Sequence, residues 1–332
     1  MDDESIGHTE LSFMVCRDAP VRCGLKHGID VLGLGAVAVD DIFFVESYPA
    51  ADAKMRVLRR ERHCGGLAAT ALVAAARLGA RCAYAGALGE DQLSRFVLDC
   101  LDHRGVDVSY AKRVRGARPV SSCIVVGRDG GTRNIFFDLN GVVGAAARWP
   151  AAAVVRSCRV LLVDNIGVPG MIRAARIARR HGIPVVADFE SDQHPRFGEL
   201  LKLVDHLIVS RDFAAKLSGV SDPAIAVRKL WAADRQAVVV TAGASGCWYR
   251  GEGAAAARRQ PAFQVAAVDT TGCGDVFHGA YAFGLARGLP LDERIRLASA
   301  TAALKATRPG GQAGIPSLAA VKRFLRQAIN AT

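Results

Sequence analysis

The chain has 332 residues and a formal net charge of +11, from 43 Lys and Arg against 32 Asp and Glu. Because 51% of the residues are apolar and 23% are charged, a disordered chain is excluded and a sizeable core is expected. No apolar run reaches the roughly 18 residues that a membrane span needs. The 34 glycines and the 6% aromatic content favour an α/β protein over an all-β sandwich.

The positive charge is scattered along the chain, with no long basic run, RNA-binding aromatic motif or zinc-finger spacing. We therefore expect no nucleic-acid or membrane partner; the charge reflects an arginine-rich composition or a cleft for a polyanion such as ATP. The nine cysteines include no C-x-x-C pair, which predicts reduced thiols in a cytoplasmic protein. Residues 1–28 lack the apolar core of a signal peptide, and we expect a poorly ordered extension there.

Regular structure is predicted from Ile29 onward. In the first half, patterning and glycine stops predict strands at 29–34, 41–46 and 82–88, helices at 67–78 and 93–104, and a hairpin of 121–126 with 133–139 around the turn RDGGT. The β-rich segments 41–63 and 118–140 fit poorly into a parallel sheet, so we place them together as a small lid.

From about residue 150, strands and helices alternate. Strands are predicted at 160–163, 185–188, 206–209, 237–241 and 263–268, and helices at 171–181, 198–203, 213–217, 224–233, 275–287, 291–307 and 318–328. This alternation predicts a parallel sheet that helices cover on both faces.

The segment DTTGCGD at 269–275 carries the strongest chemical signal. Its glycines stand at a turn into a helix, where backbone N–H groups and the helix dipole favour a bound phosphate. Asp275 falls in the first helical turn. An acid there either stabilises the helix terminus or, facing the phosphate, takes a proton from an attacking hydroxyl.

This segment resembles the C-terminal motif D-T-x-G-A-G-D-x-F of the PfkB/ribokinase carbohydrate kinases, with Cys273 in place of alanine. The resemblance covers about 29–328, nearly the whole chain, and implies a kinase domain over 29–330. It implies a ribokinase-like three-layer α/β/α sandwich with a mostly parallel central sheet and a small β-rich lid. It also implies Asp275 as general base and the amides of Gly272, Cys273 and Gly274 as anion hole. In potassium-dependent relatives the Asp and Thr that precede the glycines contribute to a monovalent-cation site. The resemblance implies that Asp269 and Thr271 do so here.

A second motif, His63-Cys64-Gly65-Gly66-Leu67-Ala68-Ala69-Thr70, resembles the family's G-G-x-x-x-N-x-A. The resemblance implies that Gly65 and Gly66 contact the sugar, with Thr70 where most members have Asn. Threonine is shorter and has one polar atom, which leaves open a different pattern of substrate hydroxyls. Asp40, after the first strand, matches the family's sugar-binding Asp.

Two further loops match the family's nucleotide site. Thr241, Gly243, Ser245 and Gly246 fit a T-x-G-x-x-G loop that lines the phosphates, and Thr307 and Gly310 fall in the loop over the adenine and the cation. The implied cofactors are ATP and Mg²⁺, with K⁺ left open. The family's magnesium-ordering N-x-x-E is absent; Asp188 and Asp212 are both candidates for the metal.

Among the branches of the family, the resemblance is strongest to the sulfofructose kinases and the ketohexokinase-like members. Lys54 fits a basic lid position that holds a sulfonate, but Phe137 and Ile166 stand where that branch has anion-binding residues. Neither can pair with an anion. A ketose such as fructose, or a derivative, phosphorylated on a primary hydroxyl, is therefore the predicted substrate, with a homodimer through the lid.

Several alternatives remain. A nucleoside kinase of the same superfamily and a sulfofructose kinase stay open. A dehydrogenase is disfavoured because the G-x-G-x-x-A at 33–38 runs into a strand-like segment, where the dinucleotide fingerprint needs a helix. A Walker-type kinase lacks its motif. A non-catalytic sugar sensor would have no use for a base.

Overall fold

The computed structural model describes residues 28–128 and 133–329. The strands are β1 (Ile29–Leu34), β2 (Ala38–Val45), β3 (Arg59–Gly65), β4 (Cys82–Tyr84), β5 (Ala87–Leu88), β6 (Val106–Asp107), β7 (Lys112–Arg113), β8 (Val120–Gly127), β9 (Arg133–Asp138), β10 (Cys158–Val163), β11 (Val185–Asp188), β12 (His206–Ser210), β13 (Ala237–Thr241), β14 (Cys247–Gly251) and β15 (Arg258–Gln260). The α-helices are α1 (Leu67–Arg77), α2 (Gln92–His103), α3 (Ala152–Arg156), α4 (Val168–Arg180), α5 (Phe197–Leu201), α6 (Arg211–Ser218), α7 (Pro223–Lys229), α8 (Cys273–Ala286), α9 (Leu291–Ala306) and α10 (Leu318–Ile329).

A nine-stranded sheet forms the centre, in the order β15-β14-β13-β12-β11-β10-β1-β4-β6. It is parallel from β6 to β13, and β14 and β15 are antiparallel. Alternate residues of β10 face opposite cores: Val160 and Leu162 pack with α1, α2, α8, α9 and α10, and Leu161 and Val163 pack with α3 to α7. The predicted three-layer α/β/α sandwich is confirmed.

The lid is a separate four-stranded sheet in the order β3-β2-β8-β9. Its strand β2 starts at Ala38, earlier than the predicted 41, and therefore contains Asp40, which lies opposite His63 of β3 and Ser122 of β8. The tip of the predicted hairpin, 129–132, and the N-terminal extension up to residue 27 lie outside the described residues. The domain boundaries stay a prediction.

Some predicted elements are wrong. Segment 263–268 is not a strand: beyond the edge strand β15 the chain turns back toward α8, and Phe263 packs against Phe324 of α10 at a ring-centroid distance of 5.3 Å. The predicted strand 82–88 is two short strands, and the antiparallel strands β14 and β15 went unpredicted. Burial alternates along Cys247–Gly251 of β14, although the sequence of this strand does not alternate between apolar and polar residues. Within the described ranges, no helix has the length and apolar character needed to cross a bilayer.

Candidate active site

The site lies at the carboxyl edge of the parallel strands, where α1 and α8 both begin. The two helices pack so tightly that a Cβ on Gly279 would come within 2.1 Å of the carbonyl oxygen of Ala71. At their amino ends, the place of a Cβ on Gly272 is 3.4 Å from Cγ2 of Thr70. The close crossing thus brings the predicted sugar motif against the predicted anion hole.

The turn at 269–275 has the geometry of an anion hole. Gly272 directly precedes the first residue of α8 and adopts a left-handed φ of 72°. Glycine takes this conformation without strain, which allows the tight turn into the helix. The amide of Cys273 donates to the carbonyl oxygen of Thr270 at 3.1 Å. Within the described residues the amides of Gly272 and Gly274 have no acceptor, so they are available for an anionic ligand at the positive end of the helix.

Asp275 stands in the first turn of α8 and keeps part of its surface open. Burial raises the pKa of this carboxyl well above its usual range, and the nearby charges of Asp188 and Glu190 raise it further. An acid whose pKa is shifted in this way, beside free amides, is placed for proton transfer at a reacting hydroxyl.

Asp188, at the end of β11, is near enough to raise the pKa of Asp275, and only 6% of it is exposed. Its Oδ2 has no hydrogen-bond partner among the described residues, although it is 3.3 Å from Nδ1 of His278. The ring nitrogens of His278 face two carbonyl oxygens, that of Gly274 at 2.8 Å from Nδ1 and that of Ile208 at 3.0 Å from Nε2, and a neutral ring donates to one of them. Burial raises the pKa of Asp188, and its Oδ2 is a carboxyl oxygen without a hydrogen bond near the candidate base.

Asp212, the other candidate for the metal, points into solvent with a side-chain exposure of 91%, beside Arg211. The structure thus brings Asp188, and not Asp212, to Asp275. No cluster of three or more His, Cys, Asp or Glu side chains suited to a metal occurs in the described part of the chain.

The predicted sugar residues converge around the start of α1. Asp40 is half-buried, accepts a hydrogen bond from Ser122, and has a pKa raised by burial. A Cβ on Gly65 would come within 2.4 Å of its Oδ2, so glycine is required for the carboxylate to occupy this place. Gly66, at φ 96°, lies against the backbone of Val37 and begins the helix.

Thr70 is buried, and its Oγ1 accepts a 3.2 Å hydrogen bond from Nε2 of Gln312. The proton of the Thr70 hydroxyl remains available for another acceptor. Gln312 was not predicted, although it lies in the same loop as Thr307 and Gly310. Lys54 lies exposed in the connection between β2 and β3 with no partner in the described residues, and Phe137 is exposed on β9.

The predicted nucleotide residues lie at the same sheet edge. Thr241 ends β13 and donates to the carbonyl oxygen of Val209 at 3.4 Å. Gly243 and Ser245 form one 3-10 turn, and Gly246, at φ 88°, is so close to the backbone of Gln260 that a side chain would clash at 2.1 Å.

The closing loop is tied to the anion-hole turn. Thr307 donates to the carbonyl oxygen of Leu304 at 2.7 Å, and the amide of Gly310 donates to Oδ2 of Asp269 at 2.8 Å. The other oxygen, Oδ1, accepts the amide of Thr271 at 2.8 Å. Asp269 therefore joins the two loops. Burial raises its pKa, but the hydrogen bonds from the Thr271 side chain and from the amides of Thr271 and Gly310 outweigh burial and lower it.

Two basic residues near Asp269 were not predicted. Lys305, fully buried in the last turn of α9, donates from Nζ to the carbonyl oxygens of Asp269, at 2.9 Å, and Thr271. Arg133, at the start of lid strand β9, donates to Oγ1 of Thr271 and lies 4.0 Å from Oδ1 of Asp269. The lid is thus in contact with the turn that leads into α8.

Asp164, at the end of β10, is a further residue that the motifs did not reveal. Its carboxylate accepts the amides of Ala36 at 2.6 Å and Ile166 at 2.7 Å, and burial raises its pKa to about 7. It fixes the chain just before β2, which carries Asp40. An acid directly after a buried strand was the available signal.

A glycine turn with free amides, a carboxyl group beside it and a β-lid in contact with the turn, at the carboxyl edge of a parallel sheet, form the arrangement expected of a phosphotransferase. Residues 29–318 match the pfkB family carbohydrate kinase, and the chain belongs to that family. It is therefore an ATP-dependent carbohydrate kinase, as the sequence motifs predict.

Individual relatives agree with this assignment. The chain is 28% identical to ribokinase from Haemophilus influenzae over 309 residues, covering 89% of this chain and 98% of the relative. It is 26% identical to mouse ketohexokinase over 291 residues, covering 83% and 95%. The structure of Arabidopsis thaliana ribokinase complexed with ribose and ATP superposes with a TM-score of 0.79 at 23% identity, covering 90% of this chain and 99% of that one. This last likeness supports the fold.

Proposed function

We propose that this kinase transfers the γ-phosphoryl group of ATP to a primary hydroxyl of a ketose such as fructose, or a derivative, with Asp275 as the general base. The observation that carries the proposal is the position of Asp275. It follows the free amides of Gly272 and Gly274, and the same turn packs against Thr70 of the sugar motif.

In this mechanism each group has a separate task. The carboxylate of Asp275 accepts the proton as the sugar oxygen attacks the γ-phosphorus in line with the leaving ADP. The amides of Gly272, Cys273 and Gly274 offset the charge that develops on the phosphoryl oxygens. Base catalysis of this kind typically contributes about 10²–10⁴-fold.

The residues present fit Mg²⁺. The ion typically takes one or two protein carboxylates together with phosphate oxygens and waters, and Asp188 offers a buried oxygen that has no hydrogen-bond partner in the described residues. Asp188 would hold Mg²⁺ together with the ATP phosphates. The ion would neutralise part of the negative charge of those phosphates. We propose Thr241, Gly243, Ser245 and Gly246 for the phosphates, and Thr307 and Gly310 for the adenine side.

On the sugar side we propose Asp40, Gly65, Gly66 and Thr70, whose convergence at the start of α1 supports a polyol with several hydroxyls. Asp40 and Thr70 supply hydrogen-bonding groups and no positive charge. Phe137 and Ile166 cannot pair with a sulfonate, which favours a neutral ketose over a sulfonated one. Lys54 stays a predicted substrate contact. Ribose is the second candidate, because ribokinases are similar over nearly their whole length.

A coupled assay of ADP release tests the substrate class. Ketoses, aldoses including ribose, sulfonated sugars and nucleosides are compared at equal concentration, with Asp275→Asn as the blank. We expect the highest kcat/KM with a ketose. A nucleoside or sulfonated sugar as the best substrate would replace the proposed substrate with that class, and ADP release unaffected by any acceptor would favour a sugar sensor.

We further propose a homodimer formed through the lid. Strand β9 is an edge strand whose side chains are exposed along its length, including Ile135 at 49% and Phe137 at 66%. The opposite edge, β3, is protected by charged residues. An exposed apolar edge is typical of an interface. Sedimentation velocity at micromolar concentration tests this; a monomer throughout would contradict it.

A further inference from the structure

The ammonium group of Lys305 lies at the residues for which the sequence motif predicts a monovalent-cation site. Asp269 and Thr271 are the residues predicted to contribute to such a site. In the structure their carbonyl oxygens both accept hydrogen bonds from Nζ of Lys305, at 2.9 Å for Asp269. The Lys305 side chain is fully buried, so this contact is not one of many that a mobile surface lysine can make.

The side-chain oxygens of Asp269 and Thr271 also accept hydrogen bonds. Both carboxylate oxygens of Asp269 accept backbone amides, from Thr271 and Gly310. Oγ1 of Thr271 accepts from Arg133, whose guanidinium is also 4.0 Å from Asp269. An added K⁺ would have to displace these donors and would meet two positive charges at close range. The donor set therefore does not fit a potassium ion.

Burial lowers the pKa of Lys305 from its usual range, and the attraction of Asp269 and its neighbours offsets only part of that effect. The two carbonyl acceptors are therefore what stabilises the ammonium form at this place. A buried ammonium is tolerated where its protons meet oxygen acceptors. Nζ of Lys305 donates to two carbonyl oxygens of the turn. A metal cation at this place would use the same two oxygens as ligands.

We propose that Lys305 is a built-in monovalent cation: its ammonium holds the turn 269–272 in the shape that presents the amides of Gly272 and Gly274, and the kinase needs no K⁺. Lys305 is a positioning residue, and this inference rests on the proposed anion hole. Because α9 carries the lysine, packing of that helix against α8 fixes the charge behind the turn permanently. An ion would have to bind anew.

The first test is a cation series on the wild-type enzyme with its best sugar. The kcat/KM for ATP is measured at constant ionic strength in potassium, sodium, ammonium and choline chloride. We expect values that agree within about twofold, because no ion site is left to fill. Stimulation by K⁺ of about fivefold or more over choline would overturn the proposal.

The second test uses two variants of the lysine. Lys305→Met fills the space without the charge, and we expect a loss of at least about tenfold in every salt, since small misplacements of a catalytic turn are costly. Lys305→Ala leaves a cavity that a small cation can enter. We therefore expect the kcat/KM of this variant to be at least about fivefold higher in K⁺ or NH₄⁺ than in choline. A matched control is Lys229→Met: Lys229 is exposed and donates to one carbonyl oxygen, that of Ser218 at 3.3 Å, and its loss should change nothing.

These results separate the inference from the function on which it rests. Wild-type rates for Lys305→Met, or an alanine variant that folds and responds to no cation, would overturn the role of Lys305. Full activity of Asp275→Asn would instead overturn the proposed function. Melting temperatures report whether the Lys305 variants fold, and the wild-type cation series stands independently of that outcome.

Discussion

Gln312 donates a hydrogen bond to Thr70 across 3.2 Å, although 242 residues separate them in the chain. The contact joins the first motif, at the start of α1, to the loop that follows α9. The amide oxygen of Gln312 is buried and unpaired in the described residues. Together the two side chains tie the start of α1 to the loop that follows α9.

Replacing Thr70 by valine should weaken sugar binding. Valine keeps the shape but removes the hydroxyl, so we expect the KM for the sugar to rise about tenfold, the cost of one lost polar contact of about 1.4 kcal/mol. The KM for ATP should hardly change. Initial rates at varied sugar and ATP concentrations measure both.

Thr301→Val is the matched control, because Thr301 is equally buried and donates only to the carbonyl oxygen of Leu297 in its own helix. It should leave both KM values unchanged. A Thr70→Val enzyme with the wild-type KM for its sugar would remove Thr70 from the proposed substrate site.

Gly65→Ala should disable the sugar site with little effect on folding. The new Cβ would lie 2.4 Å from Oδ2 of Asp40, so the carboxylate must move. We expect at least about a tenfold fall in kcat/KM for the sugar. Gly198→Ala in α5 provides the control, since nothing lies within 4 Å of its Cβ position. Equal activity of the two variants would argue against Asp40 as a substrate ligand.

The pH dependence should report the environment of Asp275. Its pKa is raised by burial and then by Asp188 and Glu190. A base must be deprotonated, so kcat/KM is retained above this raised pKa and is lost as the pH falls through it.

Asp188→Asn removes one neighbouring negative charge and should lower the pKa of Asp275. The acid limb of the pH profile should therefore move to lower pH, whatever happens to the maximal rate. A limb that stays in place, or moves to higher pH, would contradict the coupling between the two carboxyl groups.

The features that could be predicted from the sequence are those built from residues close together in the chain. The glycine turn and Asp275 are neighbours in the chain, so their spacing alone places an acid beside a helix terminus. Gly65 and Thr70 are predictable for the same reason, since they open one helix.

Contacts between distant segments could not be predicted in this way. Lys305 donates a hydrogen bond to Thr271, which is 34 residues away in the chain. Arg133 donates to the same residue, 138 residues away. Nothing local in the alanine-rich end of α9 or in the lid hairpin indicates those partners. Segment 263–268 has the composition of a strand, yet it pairs with no strand among the residues that the structure describes, and its Phe263 packs on a helix instead.

The most direct test of the account is the rate of Asp275→Asn with the best sugar. Asparagine keeps the size of the side chain but cannot accept the proton. We expect an unchanged melting temperature and a kcat at least about a hundredfold below wild type, the usual contribution of a general base. A folded Asp275→Asn enzyme that turns over at a rate near wild type would contradict the assignment of Asp275 as the base.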